Sequence, residues 1–186
     1  MPTKDPLRPL PSWPERHLLW IERERSFALW MHSAATRPWV VAWLKIVSRL
    51  SDGWMWGAIV LAMPWLDHTS GTSVAVRMFA VGLVNLLIYA IVKHTIARPR
   101  PYRSCPGIRP CTRSLDEFSF PSGHTLHSVA CSLILVSYYP ALNYVLWPFA
   151  ALVGVSRVVL GLHYPSDVIV GAAVGALTAA VSFNLL

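Results

Sequence analysis

The chain has 186 residues, of which 54% are hydrophobic and only 13% are charged, and its formal net charge is +7. A soluble domain usually has about a quarter of its residues charged, so this composition indicates a membrane protein and argues against a soluble enzyme. The basic residues lie between apolar segments, which favours contact with anionic lipid headgroups or a phosphate substrate over nucleic-acid binding.

The N-terminal region is basic and carries no continuous apolar segment. Residues 1–16 are rich in proline, which predicts an irregular segment without a signal peptide. Residues 17–33 mix apolar side chains with four central charges. Charges there are costly inside a bilayer, so this segment is predicted to form an amphipathic helix lying in the membrane interface. Residues 38–51 continue the same pattern.

Five apolar segments follow, at residues 54–66, 74–92, 122–139, 141–158 and 166–186. A helix needs about 20 residues to cross a bilayer core, so the first segment crosses only if it extends past its ends. Unpaired backbone groups are too costly in lipid, and no alternating pattern is present, so all five segments are predicted to be helices.

The expected fold is therefore all-α. It is a polytopic membrane helical bundle of five to six transmembrane helices with an N-terminal interfacial amphipathic helix. We expect one domain over residues 1–186, with an interfacial region at 1–53 and a transmembrane catalytic core at 54–186. Small residues in the last segment predict close helix packing; they are Gly171, Ala172, Ala173, Gly175 and Ala176.

Polar residues are concentrated at the ends of these predicted spans. Lys93 follows the second apolar segment, Pro121 precedes the third, Arg157 ends the fourth, and Asp167 begins the fifth. If consecutive spans cross in alternating directions, all four ends lie on the same side of the membrane. Three segments that are distant in sequence are thus predicted to converge on one face.

Fixed positive charges on that face indicate a phosphate site. Lys93, Arg100 and Arg157 are the cations. An arginine matches phosphate oxygens with its planar fork, and a lysine supplies a compact charge. They suit both a phosphate and the additional charge of its transition state.

Backbone groups are predicted to complete the anion site. Pro121 suits the first turn of a helix. Ser122, Gly123 and His124 then present free N–H groups at a helix N-terminus, where anions bind readily. The absence of a side chain at Gly123 permits close approach of an anion.

Two histidines and one carboxylate add the means for catalysis. Asp167 is four residues after His163 and is suited to hold one ring nitrogen, so that the other is directed at phosphorus as a nucleophile. His124 is suited to protonate the leaving oxygen and then to activate water, because histidine titrates near neutral pH.

These segments resemble the motifs of the type 2 phosphatidic acid phosphatase (PAP2) superfamily, which also contains vanadium haloperoxidases. The family pattern is Lys, six residues, Arg-Pro; then Pro-Ser-Gly-His; then Ser-Arg, five residues, His, three residues, Asp. Every spacing is matched within residues 93–167. The resemblance implies catalysis without a metal or other cofactor. It also implies that His163 is the nucleophile, Asp167 its partner and His124 the general acid. The residues that it implies for phosphate binding are Lys93, Arg100, Ser122, Gly123 and Arg157.

The membrane spans favour the lipid phosphatase branch, of undecaprenyl-diphosphatase type, over the soluble haloperoxidases. The expected activity is hydrolysis of a lipid phosphate monoester or pyrophosphate through a phosphohistidine. Candidate substrates are of the phosphatidate, phosphatidylglycerophosphate or undecaprenyl pyrophosphate type. The expected partners are this substrate and membrane lipids, without nucleic acid, and the oligomeric state is not indicated.

Two other functions fit part of the pattern. A transporter that binds anions or lipid phosphates without turnover explains the cation cluster but not the histidines. A metal-dependent hydrolase with His124, His127 and His163 as ligands is the other alternative.

Other residues near the motifs are ambiguous. Arg98 precedes Arg100 by two positions and offers a second guanidinium to the phosphate. Cys105 and Cys111 share one loop, and they form a disulfide if that loop faces an oxidising compartment; two free thiols are the alternative.

The expected location is the bacterial inner (cytoplasmic) membrane, with several spans. If the N-terminal segment stays on the side of the predicted site, that side carries 15 of the 16 Lys and Arg residues, which by the positive-inside rule indicates the cytoplasmic face. Bacterial members of the resembled family instead imply a periplasmic site, and several of these cations belong to the site itself. The periplasmic face is our expectation, and the cytoplasmic face is the alternative.

Overall fold

The structure is a computed structural model that describes residues 15–114 and 116–185, with side chains from residue 21 onward. Within these residues the protein is all-helical. The α-helices are α1 (Glu15–His32), α2 (Pro38–Leu50), α3 (Gly53–Leu66), α4 (Gly71–Ile96), α5 (Pro101–Ser104), α6 (Gly123–Tyr138), α7 (Asn143–Val159) and α8 (Pro165–Leu185). Two short 3-10 helices, Ser33–Thr36 and Pro140–Leu142, precede α2 and α7.

Each of the five apolar segments predicted from the sequence lies in a helix, namely α3, α4, α6, α7 and α8. Among the described residues, three stretches are long and apolar enough to cross a membrane: Gly71–Ile96, Pro140–Val159 and Pro165–Leu185. Gly53–Leu66 is apolar but shorter. The all-α prediction is confirmed, whereas five to six spans and the interfacial position of α1 stay predictions.

Close packing of α8 against α6 depends on glycine. A Cβ atom added at Gly175 would lie 2.2 Å from the carbonyl oxygen of Leu126, and one at Gly171 would lie 2.6 Å from that of Ser122. The predicted role of small residues in close packing is thus confirmed at these two positions. The contact also brings the first turn of α8 to the first turn of α6.

The hydrophobic core and the polar end of the bundle are separate. The largest apolar cluster joins α3, α4, α6 and α8 away from the motifs, and it includes Trp56, Val74, Met78, Ile134 and Ala179. The N-terminal helices instead lie along the motif-bearing end, where α1 packs against α7 and α8 and α2 packs against α7.

The loop after α5 is held by contacts other than a disulfide. All three cysteines are free thiols. Cys105 is buried in a cluster with Ile108 and Tyr164, whereas Cys111 packs near Leu160 and donates its backbone N–H to that residue's carbonyl at 3.1 Å. The two thiols therefore belong to different packing clusters, which explains why the disulfide alternative is not observed.

Candidate active site

The three motif segments meet at one end of the helical bundle. Lys93 lies in the last turn of α4, Arg157 near the end of α7, and Asp167 in the first turn of α8. Together with Arg100 and His163, these side chains form a buried group in which none is more than 5% exposed. The convergence expected from the order of the apolar segments is present in the structure.

His163 lies in the turn between α7 and α8, between a carboxylate and a guanidinium. Its Nε2 is 3.3 Å from Nη1 of Arg100, and its Nδ1 is 3.7 Å from Oδ2 of Asp167. The second distance exceeds a hydrogen bond, and Nδ1 has no hydrogen-bond partner among the described residues. Catalytic contacts of this kind often tighten only when substrate binds.

The charge state of His163 follows from its surroundings. Burial is the largest cause that lowers the pKa of His163 well below its usual 6.5, and the positive charges of Arg157, Arg100 and Lys93 lower it further. The imidazole is therefore neutral at physiological pH. A neutral ring has a lone pair on one nitrogen, which is the form that a nucleophile requires.

Asp167 is fixed by two donors and connected to α1. Its Oδ2 accepts the backbone N–H of Tyr164 at 2.8 Å, and its Oδ1 accepts Nη1 of Arg98 at 2.6 Å. The other end of that guanidinium is 2.6 Å from Glu24, whose second oxygen accepts the N–H of Ser166 at 2.8 Å. Arg98 thus binds two protein carboxylates, and a share of the phosphate for Arg98 stays a prediction.

Lys93 and Arg100 hold the carboxylate of Asp116. Nζ of Lys93 is 2.8 Å from Oδ2, and Nη2 of Arg100 is 2.5 Å from Oδ1. The hydroxyl of Tyr89 donates to the same carboxylate. Burial disfavours the charged form, but the hydrogen bonds from Lys93 and Tyr89 outweigh it and lower the pKa of Asp116 to about 2. The two cations predicted to bind phosphate already bind an anion of the chain itself.

Arg157 retains a free donor inside the cluster. Its Nη1 donates to Oγ of Ser48 at 2.5 Å, which ties α7 to α2. Its Nε is buried and has no hydrogen-bond partner among the described residues. An unpaired buried N–H is costly, so this atom is available to an anionic ligand.

The N-terminus of α6 is fixed against α8. The N–H of Ser122 donates to the carbonyl of Asp167 at 3.0 Å, and its Oγ is 3.0 Å from Oγ1 of Thr125. The first helical bond of α6 runs from the N–H of Leu126 to the carbonyl of Ser122. The N–H groups of the three residues between them precede the helical ladder, as an anion site at a helix N-terminus requires.

Gly123 has a packing role in addition to the predicted one. A Cβ atom at this position would lie 2.8 Å from the ring of Tyr89. The glycine therefore lets the tyrosine, which also bonds to Lys93 and Asp116, pack directly against the first turn of α6.

The other motif histidine, His124, is paired with a carboxylate that the motifs do not contain. Its Nε2 is 2.8 Å from Oδ1 of Asp52, and its side chain is 16% exposed. His127, one turn later, instead directs Nδ1 to the carbonyl of Gly123 at 3.0 Å. Within residues 15–114 and 116–185, no three His, Cys, Asp or Glu side chains are grouped so as to hold a metal ion.

Five residues of this site were missed by the sequence reasoning: Glu24, Ser48, Tyr89, Asp52 and Asp116. Three of them are acidic, in a chain with only nine Asp and Glu residues. Because acidic residues are so few, one that is close in sequence to a predicted cation could have been recognised as a candidate partner of that cation. Glu117, the neighbour of Asp116 in the chain, bonds Arg103 at 3.0 Å.

A buried group of cations around a His–Asp pair, at one end of an apolar helical bundle, defines a membrane protein with a site for a phosphate-bearing molecule. Residues 72–186 match the model of the PAP2 superfamily, so the chain belongs to this superfamily and is a membrane phosphatase. The resemblance seen in the motifs is thereby confirmed.

Two curated relatives are similar over most of the chain, one named as a phosphatase and one as a transport permease. The chain is 32% identical over 157 residues to the decaprenylphosphoryl-5-phosphoribose phosphatase of Mycobacterium tuberculosis, a match that covers 78% of this chain and 80% of that protein. It is 26% identical over 127 residues to the bacitracin transport permease protein BcrC of Bacillus licheniformis, covering 68% of this chain and 63% of that protein.

Two solved structures share the fold. The first transmembrane PAP2-type phosphatidylglycerolphosphate phosphatase from Bacillus subtilis superposes with a TM-score of 0.70 at 25% identity, covering 86% of this chain and 84% of that one. Aquifex aeolicus LpxE superposes with a TM-score of 0.75 at 20% identity, covering 84% and 92%, and this likeness concerns the fold alone.

Proposed function

We propose that this protein hydrolyses a phosphate monoester or pyrophosphate of a membrane lipid by transferring phosphoryl to His163, without a metal. The observation that carries the proposal is the alignment of His163, with Nδ1 facing Asp167 at 3.7 Å and Nε2 beside Arg100 at 3.3 Å. A transporter or carrier has no need of a neutral buried histidine backed by a carboxylate. This pair therefore favours turnover over simple anion binding.

In the first step, the lone pair on Nε2 of His163 attacks phosphorus, and the bond from phosphorus to the leaving oxygen breaks. Lys93, Arg100 and Arg157 stabilise the charge on the other phosphate oxygens, together with the N–H groups at the start of α6. Asp167 stabilises the positive charge that develops on the imidazole. Lys93 and Arg100 become available to the substrate as its phosphate replaces the carboxylate of Asp116.

His124 provides the protons. As a general acid it transfers a proton to the leaving oxygen, which departs as an alcohol or as a lipid phosphate. In the second step the neutral His124 accepts a proton from water, whose oxygen attacks phosphorus. The phosphorus–nitrogen bond breaks, its electrons return to His163, and inorganic phosphate is released.

The substrate is proposed to be a lipid with a terminal phosphate or pyrophosphate. The named activities of the Mycobacterium and Bacillus subtilis relatives both concern lipid-linked phosphates, one on a polyprenyl carrier and one on a glycerolipid. The test is phosphate release in EDTA by purified protein from phosphatidate, phosphatidylglycerophosphate, undecaprenyl phosphate, undecaprenyl pyrophosphate and decaprenylphosphoryl-5-phosphoribose.

His163→Ala is the matched control for this panel. It should lower turnover by roughly 10³-fold or more while substrate still binds. Vanadate should inhibit the wild-type protein, because it mimics five-coordinate phosphorus. Loss of activity in EDTA that a divalent metal restores would overturn the metal-free mechanism. Release that persists in His163→Ala would overturn the role of the nucleophile.

We further propose one domain over residues 1–186 in the bacterial inner membrane. Five spans (α3, α4, α6, α7 and α8) would cross the bilayer, with α1 and α2 in the interface, and the site at the periplasmic face. Lys93, Arg98, Arg100 and Arg157 are engaged in the site, so they are discounted as signals for a cytoplasmic location. A reporter fused to the C-terminus should then be active in the cytoplasm, and a periplasmic signal would reverse the orientation.

A further inference from the structure

Asp52, between α2 and α3, contacts a proposed catalytic histidine although it lies outside the matched family region of residues 72–186. Its Oδ1 is 2.8 Å from Nε2 of His124. An ionised carboxylate only accepts hydrogen bonds, so Nε2 of the histidine carries the proton in this contact. The pairing leaves Nδ1 as the nitrogen that is available for proton transfer.

Asp52 does not act as the helix cap that its position suggests. It occupies the N-cap position of α3, where aspartate usually accepts backbone N–H groups of the first turn, yet its side chain makes no such bond. Asp67, at the other end of α3, instead bonds to the backbone of its own loop. Its Oδ1 accepts the N–H groups of Thr69 at 2.9 Å and Ser70 at 3.1 Å. Asp52 therefore directs its carboxylate to His124 in place of the local helix.

The backbone around Asp52 is held against the phosphate site. Ser48, one turn earlier on α2, accepts Nη1 of Arg157 at 2.5 Å. The hydroxyl of Ser51 donates to the carbonyl of Ser48 at 2.7 Å, and the N–H of Asp52 donates to the carbonyl of Arg49 at 3.2 Å. The end of α2 is thereby tied to a phosphate-binding arginine, and the position of the carboxylate is fixed relative to the site.

The positive charge near His124 explains why this histidine needs a carboxylate partner. The imidazolium form of His124 is required when it acts as an acid, and this form lies near the positive charge of Arg157. A carboxylate in hydrogen-bond contact stabilises the imidazolium and holds the ring in one orientation.

We propose that Asp52 is the positioning residue of His124, which it holds with Nε2–H bound and Nδ1–H directed to the leaving oxygen. This inference rests on the proposed phosphohistidine mechanism. When the phosphorus–oxygen bond breaks, the Nδ1 proton passes to the leaving oxygen and His124 becomes neutral, while Asp52 stays ionised and bound to Nε2–H.

The test measures formation of the phosphoenzyme in single-turnover, rapid-quench experiments. Two substrates are compared that carry the same hydrocarbon chain, an alkyl phosphate with a poor leaving group and a nitrophenyl phosphate with a good one. A general acid assists only the poor leaving group. Asp52→Asn should slow phosphoenzyme formation roughly 10- to 100-fold with the alkyl phosphate and less than about threefold with the nitrophenyl phosphate.

Asp67→Asn is the matched control, because this loop carboxylate lies at the opposite end of α3, about 20 Å away. It should leave both rates unchanged. His124→Gln should reproduce the leaving-group dependence of Asp52→Asn, and the double variant should be no slower than His124→Gln alone, because both changes disable one unit.

The outcomes distinguish a failure of the phosphohistidine mechanism from a failure of the role proposed for Asp52. A wild-type protein that turns over substrate without a base-stable phosphoenzyme would overturn the proposed function and, with it, the role of Asp52. Normal wild-type phosphoenzyme with equal slowing of both substrates in Asp52→Asn would overturn only the inference, and would make the contact a structural ion pair. If the asparagine variant does not fold, Asp52→Glu gives the same comparison, because it displaces the carboxylate without removing its charge.

Discussion

Arg98 and Asp167 form an ion pair of 2.6 Å in which the carboxylate is fully buried. The same guanidinium holds Glu24 of α1 at 2.6 Å. Removing one partner from a buried pair leaves an uncompensated charge, which is far more costly than a surface ion pair. The N-terminal helix therefore contributes to the placement of the carboxylate behind His163.

Glu24→Gln should lower kcat by roughly tenfold, about 1.4 kcal/mol in activation free energy, with a smaller change in KM. The amide holds Arg98 less strongly, so Asp167 is less firmly placed, whereas the cations proposed to bind phosphate are untouched. Steady-state kinetics on the preferred lipid measures both constants. Glu22→Gln, an exposed position on the same helix, should behave as wild type. An unchanged kcat in Glu24→Gln would show that α1 has no part in placing Asp167.

Asp116→Asn should strengthen inhibition by vanadate, with a roughly three- to tenfold lower inhibition constant. The carboxylate occupies Lys93 and Arg100, so an anion must displace it, and a neutral amide is displaced more easily. Inhibition constants measured at fixed ionic strength test this prediction.

Glu117→Gln is the control for Asp116→Asn, since its carboxylate bonds the exposed Arg103 and a surface pair of this kind contributes little. Weaker vanadate inhibition in Asp116→Asn would mean that the carboxylate holds the two cations in their binding positions and does not compete with the ligand.

The sequence alone predicted that the motif residues meet at one end of the bundle, because the hydropathy pattern shows where each apolar helix begins and ends. Lys93, Arg157 and Asp167 each lie at the end of an apolar segment, and alternating spans bring such ends together. The roles of the motif residues remain predictions until variants are measured.

The partners of those residues could not be predicted, because they depend on tertiary contacts. Glu24 and Asp52 are distant in sequence from Arg98 and His124, by 74 and 72 positions. The sequence predicts that the charged segment containing Glu24 lies in the membrane interface, whereas the side chain of Glu24 contacts Arg98 and Ser166 at the site. Hydropathy reports how far a segment enters the bilayer but not which neighbour each charge meets.

The acid limb of kcat/KM should lie below pH 6.5. His163 must be neutral to act as the proposed nucleophile. Because its pKa in the folded protein is lowered well below 6.5, activity should be lost only as the pH falls through that lower value. A nitrophenyl phosphate is the suitable substrate, because its second ionisation occurs at lower pH than that of an alkyl phosphate.

Arg157→Gln is the comparison for this pH profile. It removes a charge that lowers the pKa of His163, so the acid limb should move to higher pH while the maximal rate falls. If the limb stays in place, the cations around His163 do not determine its protonation.

Gly175→Ala should destabilise the bundle by about 1–3 kcal/mol, because the added methyl group would lie 2.2 Å from the carbonyl of Leu126 and force α6 and α8 apart. A change of 1 kcal/mol shifts the melting temperature of a protein of this size by about 2–4 °C, which thermal unfolding in detergent resolves.

Gly57→Ala on α3 is the matched control, since nothing lies within 4 Å of its Cβ position. That change should be neutral or slightly stabilising, as alanine is favoured over glycine within a helix. Equal melting temperatures for the two variants would show that α6 and α8 can separate without loss, and that their close contact does not hold the first turns of these helices, with Ser122 and Asp167, in place.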